Sequence, residues 1–161
     1  MTPAQLQTLH TYILASPDLA SQPMTPDGDY EIARLLSLDA LGPTNIVWRS
    51  LVSLNIVATA YDPVELDALT VNERSRLQTL AFYMPAGVQP SIPNVRDFFN
   101  NIFAGAGGAD TRAALRGTWE RIATRGERLY ALGAGTSADP ATLVIEGAIS
   151  PSDVNTARNL P

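Results

Sequence analysis

The strongest constraint on how this chain folds is an apolar seam in its C-terminal third. Leu115, Trp119, Ile122, Gly126 and Leu129 recur at alternating spacings of four and three, the repeat of one face of an α-helix. The pattern predicts a long helix near 110–132, about six turns in length, with Gly133 as its C-cap. Gly126 within the seam admits a close helix approach, at roughly 1 kcal/mol of propensity relative to alanine. Ala141-Thr-Leu-Val-Ile-Glu-Gly147 then gives the best strand signal in the chain. A lone strand at 141–147 needs a partner, and the two candidates are residues 46–49 and a neighbouring subunit.

The remainder reads as shorter helices separated by proline and glycine. Thr2-Pro3-Ala4-Gln5 is a capping box opening a helix with Leu6, Leu9, Ile13 and Leu14 as its apolar stripe. Ser16-Pro17 ends it, and His10 lies beside the stripe as a boundary residue. Asp27 or Asp29 caps a second helix, with Tyr30, Ala33 and Leu36 inward and Ile32 and Leu35 widening the face. Val47-Trp48-Arg49 is extended and leads into a helix from about Ser53 to Ala60, with Trp48 in the core and Arg49 paired to an acid or a carbonyl. Thr70-Val71-Asn72-Glu73 is a second capping box, opening a helix to Tyr83 with Leu77, Leu80 and Ala81 inward. Pro93 begins another through Val95, Phe98, Phe99, Ile102 and Phe103, whose three phenylalanines anchor a core. Ser150 caps a last helix to Arg158. The fold class expected is mainly α: a single-domain helical bundle over 1–161 with one short β element.

Composition removes several kinds of chemistry. A chain of 161 residues with 45% hydrophobic and 17% charged residues is globular rather than disordered. There is no cysteine and His10 is the only histidine, so thiolate chemistry is excluded and a triad or histidine metal site would have to centre on that residue. Asp27-Gly28-Asp29 lacks the later glutamate of a calcium loop. Gly105-Ala-Gly-Gly108 lacks the strand, the helix context and the lysine of a phosphate loop. Nothing in the spacing of Asp97, Glu120 and Glu127 forces an acid–base pair. The expectation is no enzyme, no cofactor and no metal site. The N-terminus has no signal-peptide pattern and no apolar run is long enough for a bilayer, so the chain is expected to be soluble, made in a cytoplasm and free of membrane contact.

All 11 basic residues are arginine. On a continuous helix Arg112 and Arg116 share one flank, and Arg121, Arg125 and Arg128 another. Glu120 and Glu127 interrupt the cluster and the net charge is −5, which argues against sequence-specific nucleic-acid binding and for a solvated or protein-facing surface. Residues 1–73 carry two arginines against nine acids, residues 74–133 eight against four, and residues 134–161 one against three. Such segregation suits head-to-tail contact between copies. The protein-interface candidates are therefore Arg112, Arg116, Arg121, Arg125 and Arg128, with Val144 and Ile145 on the strand.

Three pieces of the chain carry a resemblance: TPAQLQTLHTYILASPDLA at the start, TNIVWRSLVS over 44–53, and ERIATRGERLYALGAGTSADPATLVIEGAISPSDVNTARNLP to the end. Together they resemble a family of proteins encoded among the virion-structure genes of tailed phages and prophages. The match is strongest over 119–161 and poor over 60–93. The family brings no catalytic residues; what the resemblance implies is a phage setting and a virion location. Within it, a small acidic helical protein suits a head–tail connector, an adaptor or completion subunit forming a ring with copies of itself and meeting portal or tail components. A capsid decoration or minor tail protein is the structural alternative. A non-virion tail assembly chaperone is the alternative from another class.

Overall fold

A computed structural model describes the chain from Met1 to Pro161, with the side chain of Ala81 alone outside the described residues, so its expected inward placement lies outside them as well. The architecture is mainly α. The described residues form α1 (Pro3–Ala15), α2 (Pro17–Ala20), α3 (Pro26–Leu36), β1 (Ile46–Trp48), α4 (Leu54–Thr59), α5 (Pro63–Ala68), α6 (Val71–Tyr83), α7 (Pro93–Ile102), a 3-10 turn (Ala106–Gly108), α8 (Ala109–Trp119), β2 (Glu120–Ile122), α9 (Arg125–Tyr130) and α10 (Pro151–Arg158). They divide into two compact units: Met1–Val47 with Ile122–Pro161, and Trp48–Arg121. The second is inserted in the first. The chain leaves the first unit along β1 and returns along β2, and these two strands pair with each other.

The first unit packs α1, α2, α3, α9 and α10 around Leu9, Ile13, Leu19, Ile32, Leu36, Tyr130, Val154 and Ala157. Thr2 closes the expected capping box with Gln5. His10 is half-buried, with its Nδ1 2.8 Å from the carbonyl oxygen of Ala157. The ends of the unit are tied by a buried ion pair, Arg158 to Asp29 at 2.7 Å, with side-chain exposures of 6% and 7%. Asn155 donates to the second Asp29 oxygen at 2.8 Å, and Arg158 also donates to the carbonyls of Gln22 and Pro23. A buried pair of this kind is tolerated because its remaining donors and lone pairs are met.

The second unit packs α4, α7 and α8 around Trp48, Val52, Val57, Phe99, Ile102, Phe103, Leu115 and Trp119. Phe99 meets Trp119 edge to face at 5.2 Å, and the Arg96 guanidinium lies 4.4 Å from the Trp48 ring centroid. Both are geometries that the aromatic quadrupole favours. The Thr70 capping box opens α6 and Pro93 opens α7, as the sequence predicts.

The long helix is corrected. α8 ends at Trp119, residues 120–122 are extended, and α9 starts afresh at Arg125. The cause is local. Arg49 N–H donates to Trp119 O at 2.7 Å, and Ala123 N–H to Asn45 O at 2.8 Å. Thr124 then forms a capping box with Glu127. Backbone pairing and a new N-cap together outweigh a continuous apolar period. Leu115 and Trp119 serve the second unit's core, Leu129 packs on the first unit's core, and Ile122 is exposed. The helix ends at Tyr130, ahead of Gly133.

The 141–147 strand is shortened. Ala141 bridges Val47 in parallel and Thr142 bridges Leu132 in antiparallel fashion, so the expected pairing with 46–49 is made at one residue. Beyond it Ile145 packs on the first unit's core and Gly147 N–H turns to Glu127. Three smaller expectations also differ. Thr25 caps α3, with Asp27 and Asp29 in the first turn; Tyr30 is exposed while Ile32 joins the core; Arg49, expected to pair with an acid or a carbonyl, is exposed.

Two neighbouring glycines make the packing testable. A Cβ on Gly108 would lie 2.3 Å from the carbonyl oxygen of Phe103 and 2.7 Å from its Cα, whereas one on Gly107 meets nothing within 4 Å. Backbone cannot yield as a side chain can, so Gly108→Ala is expected to cost about 2–3 kcal/mol, while Gly107→Ala is neutral or stabilises by about 0.5 kcal/mol. Urea denaturation of the two variants checks the contrast.

Candidate functional site

Two of the three carboxylates weighed for catalysis, Glu120 and Glu127, are engaged structurally. Glu127 is 2% exposed and accepts from Thr124 N–H at 2.9 Å and Gly147 N–H at 3.0 Å. Glu120 pairs with Arg116 four residues before it. Asp97 is exposed. Glu65 of α5 reaches the start of α8, accepting from Asp110 N–H at 3.0 Å and Thr111 N–H at 2.8 Å, where the unsatisfied amides and the helix dipole favour a negative charge. Burial alone would push the Glu65 carboxyl up; the hydrogen bonds from Thr111 and Asp110 and the nearby Arg112 outweigh it and hold it below its usual value. Thr111, fully buried, accepts from Asp62 N–H at 3.0 Å. No cluster of three metal-ligating side chains occurs among the described residues, and none of the described helices is long and apolar enough to cross a membrane.

The five arginines no longer lie along one helix. Arg112 donates to the carbonyl of Phe103, and Arg116 to Glu120 while lying 5.7 Å from the Trp48 ring centroid. Arg121 lies in β2, half-buried and engaged by contacts of its own. Arg125 grips Asp18 with two bonds, 2.5 and 3.2 Å. That bond is the main cause holding the Asp18 carboxyl below its usual value, against the burial that pushes it up, and it raises the arginine in return. Arg128 donates through Nε to the carbonyl of Thr44 at 2.7 Å and reaches those of Ala131 and Ala134 at 3.4 and 3.5 Å. These contacts fasten α8 and α9 to their own units. Val144 is exposed and Ile145 half-buried.

Exposed apolar side chains are present on α5 and α6. α5 and α6 contribute no buried side chain among those described, and they leave Val64 77%, Val71 83%, Phe82 80% and Tyr83 74% exposed. Leu66, Leu77 and Leu80, half-buried, line a cavity of about 400 Å³ with Val57 and Tyr61. Sequence analysis placed Leu77 and Leu80 correctly but missed the outer face. The signal was present in Val71 and Phe82, eleven residues apart and so close to one helix face.

Compared with family models, with curated proteins and with solved structures, the chain finds no match.

Two outcomes test this description. Asp29→Ala strands the Arg158 guanidinium in a buried position and is expected to cost about 3–5 kcal/mol, measured by urea denaturation at neutral pH. The second concerns Glu65. Its folded pKa lies below the ordinary 4.5, so its contribution to stability is present above that pH and is lost as pH falls through the folded value. The Glu65→Gln variant should therefore show a shallower loss of stability on the acid side than the parent chain.

Proposed function

We propose that the chain is a structural part of a bacteriophage virion: a head–tail connector subunit, adaptor or completion protein, that forms a ring with copies of itself and meets portal or tail proteins. The observation that carries this reading is the outer face of α5 and α6, where Val64, Val71, Phe82 and Tyr83 are exposed on two helices without one buried described side chain. Exposed apolar side chains such as these are available to a protein contact where they lie together. A ring needs a heterologous contact, one patch meeting a different patch on the next copy. The sequence resemblance over 1–20, 44–53 and 119–161 supplies the phage setting.

Charge has a smaller part in this reading than the linear sequence implies. The first unit holds nine acids against four arginines, and the second seven of each. The acidic portion persists, whereas the basic segment is split between units and largely answered by internal acceptors. Apolar contact is therefore the main adhesive of the proposed ring, and no catalytic role is assigned.

Mass spectrometry of virions purified from the encoding phage tests the reading. The expected result is a copy number of roughly a dozen, one cyclic ring. The double variant Phe82→Ser, Tyr83→Ser should keep the parent's circular dichroism yet fail to enter particles. Absence of the parent protein from virions would replace the reading with a transient assembly factor such as a tail assembly chaperone, and hundreds of copies would replace it with capsid decoration.

A further inference from the structure

Polar contacts, rather than burial, fasten α5 to the second unit. Its six residues contribute no buried side chain. Leu66 and the adjacent Leu69 rest half-buried against the core. Toward α8 the fastening is one closed group. Glu65 accepts from Asp110 N–H and Thr111 N–H at 3.0 and 2.8 Å. The Thr111 hydroxyl bonds to the same carboxylate and accepts from Asp62 N–H at 3.0 Å. Asp110 and Thr111 lie in the first turn of α8, where amides have no intrahelical acceptor. Glu65 thus does from another helix what an N-cap side chain does locally.

The neighbours of α5 carry their own supports. α6 is capped within itself by Thr70 and Glu73. Leu69, between the two helices, is extended. Arg74 of α6 holds the far end of α5 by the carbonyls of Asp67 and Leu69. A helix of six residues is marginal by itself, so α5 depends on these few attachments. Leu66 and Asp67 form one wall of the cavity of about 400 Å³ that α4 and α6 complete.

We propose that α5 is a latch: it opens as a local unit when Glu65 lets go of the start of α8, and its opening widens the apolar cavity while α7 and α8 stay folded. Few contacts resist such an opening, so it occurs far more often than unfolding of the core. In the closed form Leu66 and Leu69 face the core. In the open form they join Val64 as exposed apolar surface. One consequence rests on the virion reading of the α5–α6 face: a closed copy offers less apolar surface to the next copy, which restrains association until a partner's contact offsets the opening.

Amide hydrogen exchange of the full chain at neutral pH, followed residue by residue by NMR, tests the latch. The Leu66 amide donates to Asp62 O at 2.9 Å. It should share one opening with the Asp110 and Thr111 amides, their protection factors agreeing within about twofold and lying about a hundredfold or more below those of Phe99 and Leu115. Low urea should lower the protection of Phe99 and Leu115 steeply and leave the other three nearly flat, because a local opening exposes little surface. Glu65→Gln should lower the protection of Leu66, Asp110 and Thr111 about tenfold. Asp67→Asn removes the same charge from the exposed side of the same helix and should change them by less than about twofold. The proposal is overturned if the three amides fall with urea as steeply as Leu115, or if Asp110 and Thr111 do not follow Leu66. It is equally overturned if Glu65→Gln leaves them unchanged, or if Asp67→Asn acts as Glu65→Gln does. Exchange reads the opening in the isolated chain, so absence of the protein from virions would overturn the virion reading and leave the latch standing.

Discussion

One buried carboxylate organises the C-terminal third. Glu127 sits 2% exposed between Thr124 N–H and Gly147 N–H. Taking an ionised group out of water is costly unless its lone pairs are met, so both bonds are conditions of burying it. The first begins α9 and thereby ends any continuation of α8. The second holds the loop that delivers Ile145 and Ile149 to the core of α1, α3 and α10. Gly126 beside it permits the same approach, since a Cβ there would sit 2.9 Å from Ile149 Cδ1. The close packing that the glycine implied is present, made against a loop residue rather than along a long helix.

Much of the fold was readable where local chemistry and tertiary packing agree. Thr2 with Gln5 and Thr70 with Glu73 are capping boxes in sequence and in structure. The phenylalanines of α7 reach the core that their spacing predicts. Reading failed where two local signals competed. The seam from Leu115 to Leu129 has helical period, yet Thr124-Arg125-Gly126-Glu127 is a capping box in its middle. The period is shared between two cores, because residues three or four apart fall into register whenever two short helices are separated by about a turn's worth of chain. The strand signal at 141–147 was real for Ala141 and Thr142, after which burial of Ile145 took precedence over extension of the ladder.

The candidate surface was less legible than the fold. Arginine clustering in sequence suggested a shared face, but a guanidinium reaches far and finds acceptors remote in the chain: Asp18 for Arg125, Thr44 for Arg128. Which partner it finds depends on tertiary placement, which a linear pattern does not contain. The exposed apolar residues of α5 and α6 were hidden for the opposite reason. A sequence shows that Val71 and Phe82 are hydrophobic, and burial is the default for such residues; only the packed structure shows which side the core takes.

The insertion of one unit within the other bears on how the protein comes into being. Residues 48–121 are contiguous and carry their own core, so the contacts of that core join residues of one uninterrupted segment. The other unit must wait. Its α3 and α10 are joined through Asp29 and Arg158, separated by 129 positions, and α1 has no α10 to lie against until residues 151–158 have been made. Prompt folding of the inserted segment shortens the effective loop that separates these distant partners, and domains generally form as units during synthesis. The packing of α1 is thus complete only once α10, far later in the chain, is there to meet it.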